Sequence, residues 1–133
     1  MVKKIKSCVF ISGAGSNLKS IIKNSRDYNF PIKIELIISN NVKAYGLKYA
    51  KKYNIPFKYY CSDDQNYFER YCLVELRRRK IKFLCLAGFL KVLSKNFIRN
   101  FGYNIVNIHP SLLPKFKGLE THKRVLKNKE KYT

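Results

Sequence analysis

The sequence predicts a Rossmann-like open α/β sheet with parallel strands and helices on both faces. Three observations lead there. Five short runs are apolar at consecutive rather than alternate positions, as strands covered on both faces require. Stretches with helical apolar spacing separate them, so strand and helix alternate along the chain. No repeat, linker or low-complexity segment interrupts the alternation, and 133 residues suffice for one domain with its own core. Residues 1–133 are therefore read as a single α/β domain.

The first strand is expected over Ile5–Ile11, and Gly13-Ala14-Gly15-Ser16-Asn17 turns it into a helix over about Leu18–Ser25. A second strand, Ile32–Ile38, ends in Ser39-Asn40-Asn41, and Ala44-Tyr45-Gly46-Leu47 opens a helix to Tyr53. Phe57–Tyr60 supplies the third strand and Tyr67–Arg79 the third helix. Phe83–Leu86 forms the fourth strand, followed by Ala87-Gly88-Phe89-Leu90-Lys91-Val92-Leu93 and a helix over Ser94–Asn100 that Ser94 caps. Asn104–Ile108 is the fifth strand, and a last helix is expected near Thr121–Lys127. Ligands of such sheets bind beyond the carboxyl ends of the strands. Four of these connecting motifs fall at those ends and converge on one rim.

The net charge of +20, from 28 basic and 8 acidic residues, taken alone invites a nucleic-acid partner. The excess is mostly Lys, spread along a chain also rich in Asn, Ile, Tyr and Phe, whose codons share A/T bias. Arg77-Arg78-Arg79-Lys80 is the one dense cluster, at a helix end where cations favour the macrodipole. It is read as a solvated helix end, and nucleic acid is not the expected partner. A positive field would in any case attract small anions. Cys8, Cys61, Cys72 and Cys85 lie in apolar runs without C-x-x-C spacing, the pattern of buried reduced thiols rather than disulfides or a metal site. No apolar run approaches a membrane span. Lys3-Lys4-Ile5-Lys6 with Cys8–Ile11 only faintly imitates a secretory signal, so a cytoplasmic protein is expected.

Asn107-Ile108-His109-Pro110-Ser111-Leu112-Leu113-Pro114 is the most informative stretch. On extended backbone, positions two apart share a face, which places the Asn107 amide beside the His109 imidazole. That pair suits a reaction in which a carbonyl oxygen gains charge while a proton moves. At Gly13–Asn17, glycines allow a tight turn and the helix N-terminus offers N–H groups to a phosphate. Ser16 or Asn17 can equally be an ordinary N-cap. Leu90–Leu93 either lines a slot for a flat ligand or plugs the top of the sheet with apolar side chains. Its residues alone favour the plug.

Taken in order, the turn at Ile11–Leu18, Ile38–Asn41, Ala44–Leu47, Leu86–Ser94, Asn107–Pro114 and Lys117–His122 closely resemble glycinamide ribonucleotide formyltransferase of de novo purine synthesis. The likeness implies formyl transfer from 10-formyltetrahydrofolate, as cosubstrate, to the amine of glycinamide ribonucleotide, without a metal. It implies that Gly15, Ser16 and Asn17 hold the phosphoribosyl group, that Leu90, Lys91, Val92 and Leu93 bind the folate, and that Asn107 and His109 are catalytic, Asn107 also bordering the folate. Lys91 stands where that family often has Arg, Glu120 where it often has a second His, and Gln65 where a basic residue meets the folate. His122 is assigned a surface or local structural role. Family members continue beyond the match to Thr133 with further strands and a loop whose Asp orients the catalytic His. Neither Glu120 nor Glu130 lies in a matching context, and the remaining acids, Glu69 among them, are read as lying outside the rim motifs. A chain lacking the C-terminal part of the fold is therefore expected.

Two related enzymes compete with this reading. A formyltetrahydrofolate hydrolase would carry a regulatory domain before the first strand. A methionyl-tRNA formyltransferase would lack the Gly15-Ser16-Asn17 turn. From another class, a basic nucleic-acid-binding module would use Lys, Arg and the ten tyrosines, but no aromatic-basic RNA signature is present.

Overall fold

A computed structural model describes residues 3–108. The elements are β1 (Ile5–Ile11), α1 (Ser16–Ser25), β2 (Ile32–Ser39), α2 (Leu47–Lys52), β3 (Phe57–Tyr59), α3 (Gln65–Arg78), β4 (Phe83–Ala87), α4 (Lys95–Phe101) and β5 (Asn104–Ile108). All five strands are parallel, in the order β3-β2-β1-β4-β5. The expected strands are present to within a residue at each end. Helix α2 begins later than expected, because Ala44–Gly46 closes as tight turns, with the Leu47 N–H donating to the Ala44 carbonyl and Lys48 to Tyr45. The helix expected near Thr121–Lys127 lies outside the described residues, as do His109 and His122.

Consecutive apolar positions along the strands feed two cores. Cys8 and Phe10 of β1, Leu36 and Ile38 of β2, and Leu84 and Leu86 of β4 face α3 and α4, where Phe68, Leu76 and Phe97 meet them. Val9, Ile11, Ile37, Cys85 and Ala87 face α1 and α2, against Leu18, Ile22, Leu47 and Ala50. This division follows from the crossovers. Right-handed connections running from β1 through β2 to β3 put α1 and α2 on one face, and those running back from β3 to β4 and on to β5 put α3 and α4 on the other.

Strand β2 breaks the alternation once. Ser7 pairs with Ile34 but Cys8 pairs with Leu36, so Glu35 is an extra residue in the ladder. A one-residue bulge switches the face of everything beyond it. Ile32 and Ile34 therefore lie in the α1/α2 core, whereas the even-numbered Leu36 and Ile38 lie in the other. Glu35 itself pairs with Lys33 at 3.2 Å.

Helix ends follow local chemistry. Asp64 caps α3 by accepting the Asn66 N–H at 2.9 Å. Ser94 caps α4 by accepting from Phe97 at 3.1 Å, and Gly102 closes it in the left-handed conformation. At the end of α3, Glu75 accepts from Arg78 at 2.8 Å and from Arg79 at 3.1 Å. Burial pushes the Glu75 pKa up, but the hydrogen bonds and charges of Arg78 and Arg79 outweigh it and hold the carboxyl below its ordinary value.

Cys8, Cys72 and Cys85 are buried, and burial pushes their thiols up, that of Cys85 to about 12. Cys61 departs from expectation. It is exposed, because β3 ends at Tyr59 and the following loop leaves the sheet. In the native protein one thiol of four should react promptly with an aromatic disulfide reagent at pH 8, and all four after unfolding. Prompt reaction of more than one native thiol would contradict the packing. Phe10, fully buried against Phe68, Phe89 and Phe97, should lower stability by about 3–5 kcal/mol when changed to Ala, measured by urea denaturation.

Candidate active site

Strand order reverses at β1 and β4. The chain leaves β1 toward β2 and leaves β4 toward β5, so the loops after these central strands part at the carboxyl rim. This divergence opens the crevice in which doubly wound sheets bind ligands. Gly13–Asn17 follows β1, Asn40 and Asn41 follow β2, Gly88–Leu93 follows β4, and Asn107 lies near the end of β5.

The first loop is shaped by glycine contact. Gly15 adopts φ 82°, and a Cβ there would lie 2.5 Å from the Gly46 Cα and 3.3 Å from the Tyr49 ring. A Cβ on Gly46 would in turn meet the Ile11 side chain at 2.7 Å, and the Gly46 N–H donates to the Gly13 carbonyl at 3.0 Å. The turn is thus seated directly on the backbone that opens α2, which gives the Ala44–Leu47 motif its role.

Gly15, rather than Ser16 or Asn17, occupies the N-cap of α1, and no side chain caps the helix. The first intrahelical bond runs from Lys19 to the Gly15 carbonyl, leaving the N–H groups of Ser16, Asn17 and Leu18 at the open end. No acidic residue occupies the first turn. Ser16 is exposed and Asn17 half-buried, and no hydrogen bond among the described residues engages either side chain. An uncapped N-terminus with two adjacent polar side chains and no competing carboxylate is suited to a phosphate.

The loop after β4 does not plug the sheet. Leu90 and Val92 are 80% and 70% exposed, and Lys91 is exposed. Leu93 is the exception. Its side chain is buried in the α3/α4 core and anchors the loop. Two polar contacts hold the loop. The Leu90 N–H donates to the Ser12 hydroxyl at 2.9 Å, and that hydroxyl donates to Asn40 Oδ1 at 2.7 Å. The Asn41 amide donates to the Ser12 carbonyl at 3.2 Å. Ser12 therefore ties together the ends of β1, β2 and β4.

At the other end of the loop, Glu69 Oε2 accepts the Ser94 N–H at 2.8 Å and Oε1 accepts the Ser94 hydroxyl at 2.6 Å. Gln65 donates to Glu69 Oε2 at 2.8 Å and to the Val92 carbonyl at 3.1 Å. Glu69 thus belongs to the support of the rim and not to a remote helix face. Gln65, with no charge to offer, braces the same loop. The i,i+4 spacing of Gln65 and Glu69 was the available signal. Their partner 25 residues on is a tertiary fact. The backbone groups on offer to a ligand are also fewer than the sequence suggests, since the Leu90 N–H and the Val92 carbonyl are already engaged.

Asn107 is half-buried and pairs in register with Leu86, two residues before Gly88. It sits beside the foot of the Leu90 loop. No hydrogen bond among the described residues engages its amide, and His109 lies outside them. Among the described residues no group of three His, Cys, Asp or Glu side chains gathers as a metal site, and no helix is long and apolar enough to cross a membrane.

A doubly wound parallel sheet with an open helix N-terminus and an exposed apolar loop at its switch point places this chain among the α/β folds whose ligand crevice lies at that rim. Residues 5–133 match the family described as "Formyl transferase", and the chain belongs to that family. It is 39% identical over 124 residues to phosphoribosylglycinamide formyltransferase of Haemophilus influenzae, which covers 91% of this chain and 58% of the relative. It is 36% identical over 127 residues to the human trifunctional purine biosynthetic protein adenosine-3, which covers 93% of this chain and 13% of that one. The structure superposes on the crystal structure of phosphoribosylglycinamide formyltransferase from Brucella melitensis with a TM-score of 0.77 and 36% identity, covering 94% of this chain and 67% of that one. The chain thus spans well under two thirds of the length of these sequence relatives.

The glycine contact yields a paired test. Gly15→Ala adds a strained φ and a backbone clash, and should cost roughly 1–3 kcal/mol. Gly13→Ala meets nothing within 4 Å and should stay within about 0.5 kcal/mol. Equal thermal denaturation of the two variants would contradict the seating of the turn on Gly46.

Proposed function

We propose that this chain carries the substrate-binding half, and the Asn107/His109 pair, of a glycinamide ribonucleotide formyltransferase. The reaction would move a formyl group from 10-formyltetrahydrofolate to the amine of glycinamide ribonucleotide, in the cytoplasm, on the way to purine nucleotides. The observation that carries this reading is the uncapped α1 N-terminus joined through Ser12 to the exposed Leu90–Val92 loop. One subsite suits a phosphate and the adjacent one a flat apolar ring.

Each residue has a chemical task in this reading. The open N–H groups after Gly15, with Ser16 and Asn17, bind the ribose phosphate. Leu90 and Val92 cover the ring of the folate, Lys91 lies beside its anionic end, and Leu93 holds the loop in place from the core. The folate supplies an activated formyl carbon to the substrate amine. Asn107 donates a hydrogen bond to the formyl oxygen as it gains charge, and His109 moves the proton released by the amine. Residues 1–133 act in this reading as one α/β domain binding small molecules. Against a methionyl-tRNA formyltransferase stands the Gly15-Ser16-Asn17 turn, and against a hydrolase stands the pairing of that turn with the Leu90 loop.

Glycinamide ribonucleotide should bind the purified chain in a phosphate-dependent manner, weakened by Asn17→Ala, as measured by calorimetry. Equal affinity for the dephosphorylated ribonucleoside would remove the turn from the site. In the active protein, Asn107→Ala is expected to lower kcat by roughly 10²–10³-fold with a smaller change in KM, as loss of one oxyanion donor does. His109→Ala should likewise act on kcat. Near-normal turnover of that variant would take the imidazole out of the reaction.

A further inference from the structure

A cleft of about 570 Å³ opens at the far end of the sheet, where β1, β4 and β5 begin and α3 and α4 finish. Lys3, Lys4, Lys6, Arg77, Lys80 and Lys82 line it, and among the described residues no acidic one does. Two segments more than 70 residues apart in sequence are brought together here, one of them the basic cluster read from sequence as a solvated helix end. Lys4 is committed to the fold, its amine donating to the Ser25 and Asp27 carbonyls at 2.7 and 2.6 Å. No hydrogen bond or ion pair among the described residues engages the amines of Lys3, Lys6, Lys80 or Lys82.

Two features set this cleft apart from a generally basic surface. Lys80 is held at φ 57°, a conformation that favours glycine, by its N–H donating to the Arg77 carbonyl and that of Ile81 to Leu76. A residue in this conformation thus places a cation at the edge of the cleft. The floor is apolar, with Leu76, Ile81 and Phe101 buried beneath the half-exposed Tyr103 and Ile5. The Lys82 amine stands 6.0 Å from the centre of the Tyr103 ring. Cations gathered around an apolar floor repel one another, and an anion with a flat apolar part would relieve that repulsion while covering the floor.

We propose that this cleft is a second ligand site, for a mononucleotide. The phosphate lies among Lys6, Lys80 and Lys82, and the base lies against Tyr103 and Ile5. The volume falls within the range of small-molecule sites, and the cations surround one cleft where a nucleic-acid track would need a stripe. A simple inorganic anion would leave the exposed ring unused. The site stands at the opposite end of the strands from the rim and does not depend on the formyl-transfer reading.

Amide chemical-shift titration of the full chain tests this, with the amides of the Gly13–Asn17 turn followed separately from those of the cleft. Adenosine 5′-monophosphate should shift the Lys80, Lys82 and Tyr103 amides with one-to-one saturation, and the affinity should fall as salt rises. The Lys80→Gln/Lys82→Gln double variant should weaken binding at least tenfold, and Tyr103→Ala severalfold, with unchanged melting temperatures. Adenosine or inorganic phosphate matching the nucleotide would overturn the proposal. So would shifts confined to the rim. An oligonucleotide binding many-fold tighter than the mononucleotide would replace it with a nucleic-acid surface.

Discussion

Everything in this fold hangs on the double burial of β1. From Cys8 to Ile11 each side chain is wholly removed from solvent, two facing α3 and α4 and two facing α1 and α2. With β2 and β4 bonded on either edge, the strand has neither a free edge nor a free face. Such a strand tolerates polar groups only where they find partners. Its one serine, Ser7, closes on the Ile5 carbonyl at 3.0 Å, and Ser12 follows just beyond Ile11.

Ser12 turns that constraint into an arrangement of loops. Being buried, its hydroxyl needs both a donor and an acceptor, and it takes them from two other strand ends. Glu69 repeats the principle on the other side of the same loop. A buried carboxylate is costly unless its oxygens are filled, and Ser94 and Gln65 fill them. Leu90 and Val92 can therefore stand exposed without being loose, which is what a binding surface demands of a loop. The Gly15–Gly46 contact does the same for the first loop by steric rather than polar means.

Charge is divided between the two ends of the sheet. Glu69 and Glu75 are spent on structure, one holding Ser94 and the other Arg78 and Arg79. Among the described residues, the cations around the far cleft gain no acidic partner from its lining. At the rim the attraction for anions is built from a helix terminus, whereas at the far cleft it is built from side chains. The protein thus presents two kinds of positive environment, a directional one and a diffuse one.

Consecutive apolar runs and their helical spacers made the five strands, four of the helices and the two-sided sheet legible, because these patterns are local and repeat within a few residues. The Gly13–Asn17 turn and the Leu90 loop were legible by composition and place. Their states were not. Whether Ser16 or Gly15 capped α1, and whether Leu90 pointed in or out, depended on Gly46, Ser12 and Asn40 reaching them from other strands. The bulge at Glu35 was invisible for a related reason. The alternation Ile32-Lys33-Ile34-Glu35-Leu36 reads as one face for Ile34 and Leu36, and only the pairing with β1 puts them on opposite faces. The sequence by itself determined which segments form strands and helices, and which connections bear polar and glycine residues. Tertiary structure decided what those connections touch. Bonds between residues 12 and 90, or 69 and 94, exist only after the crossovers have stacked the helices and brought distant strand ends to one rim.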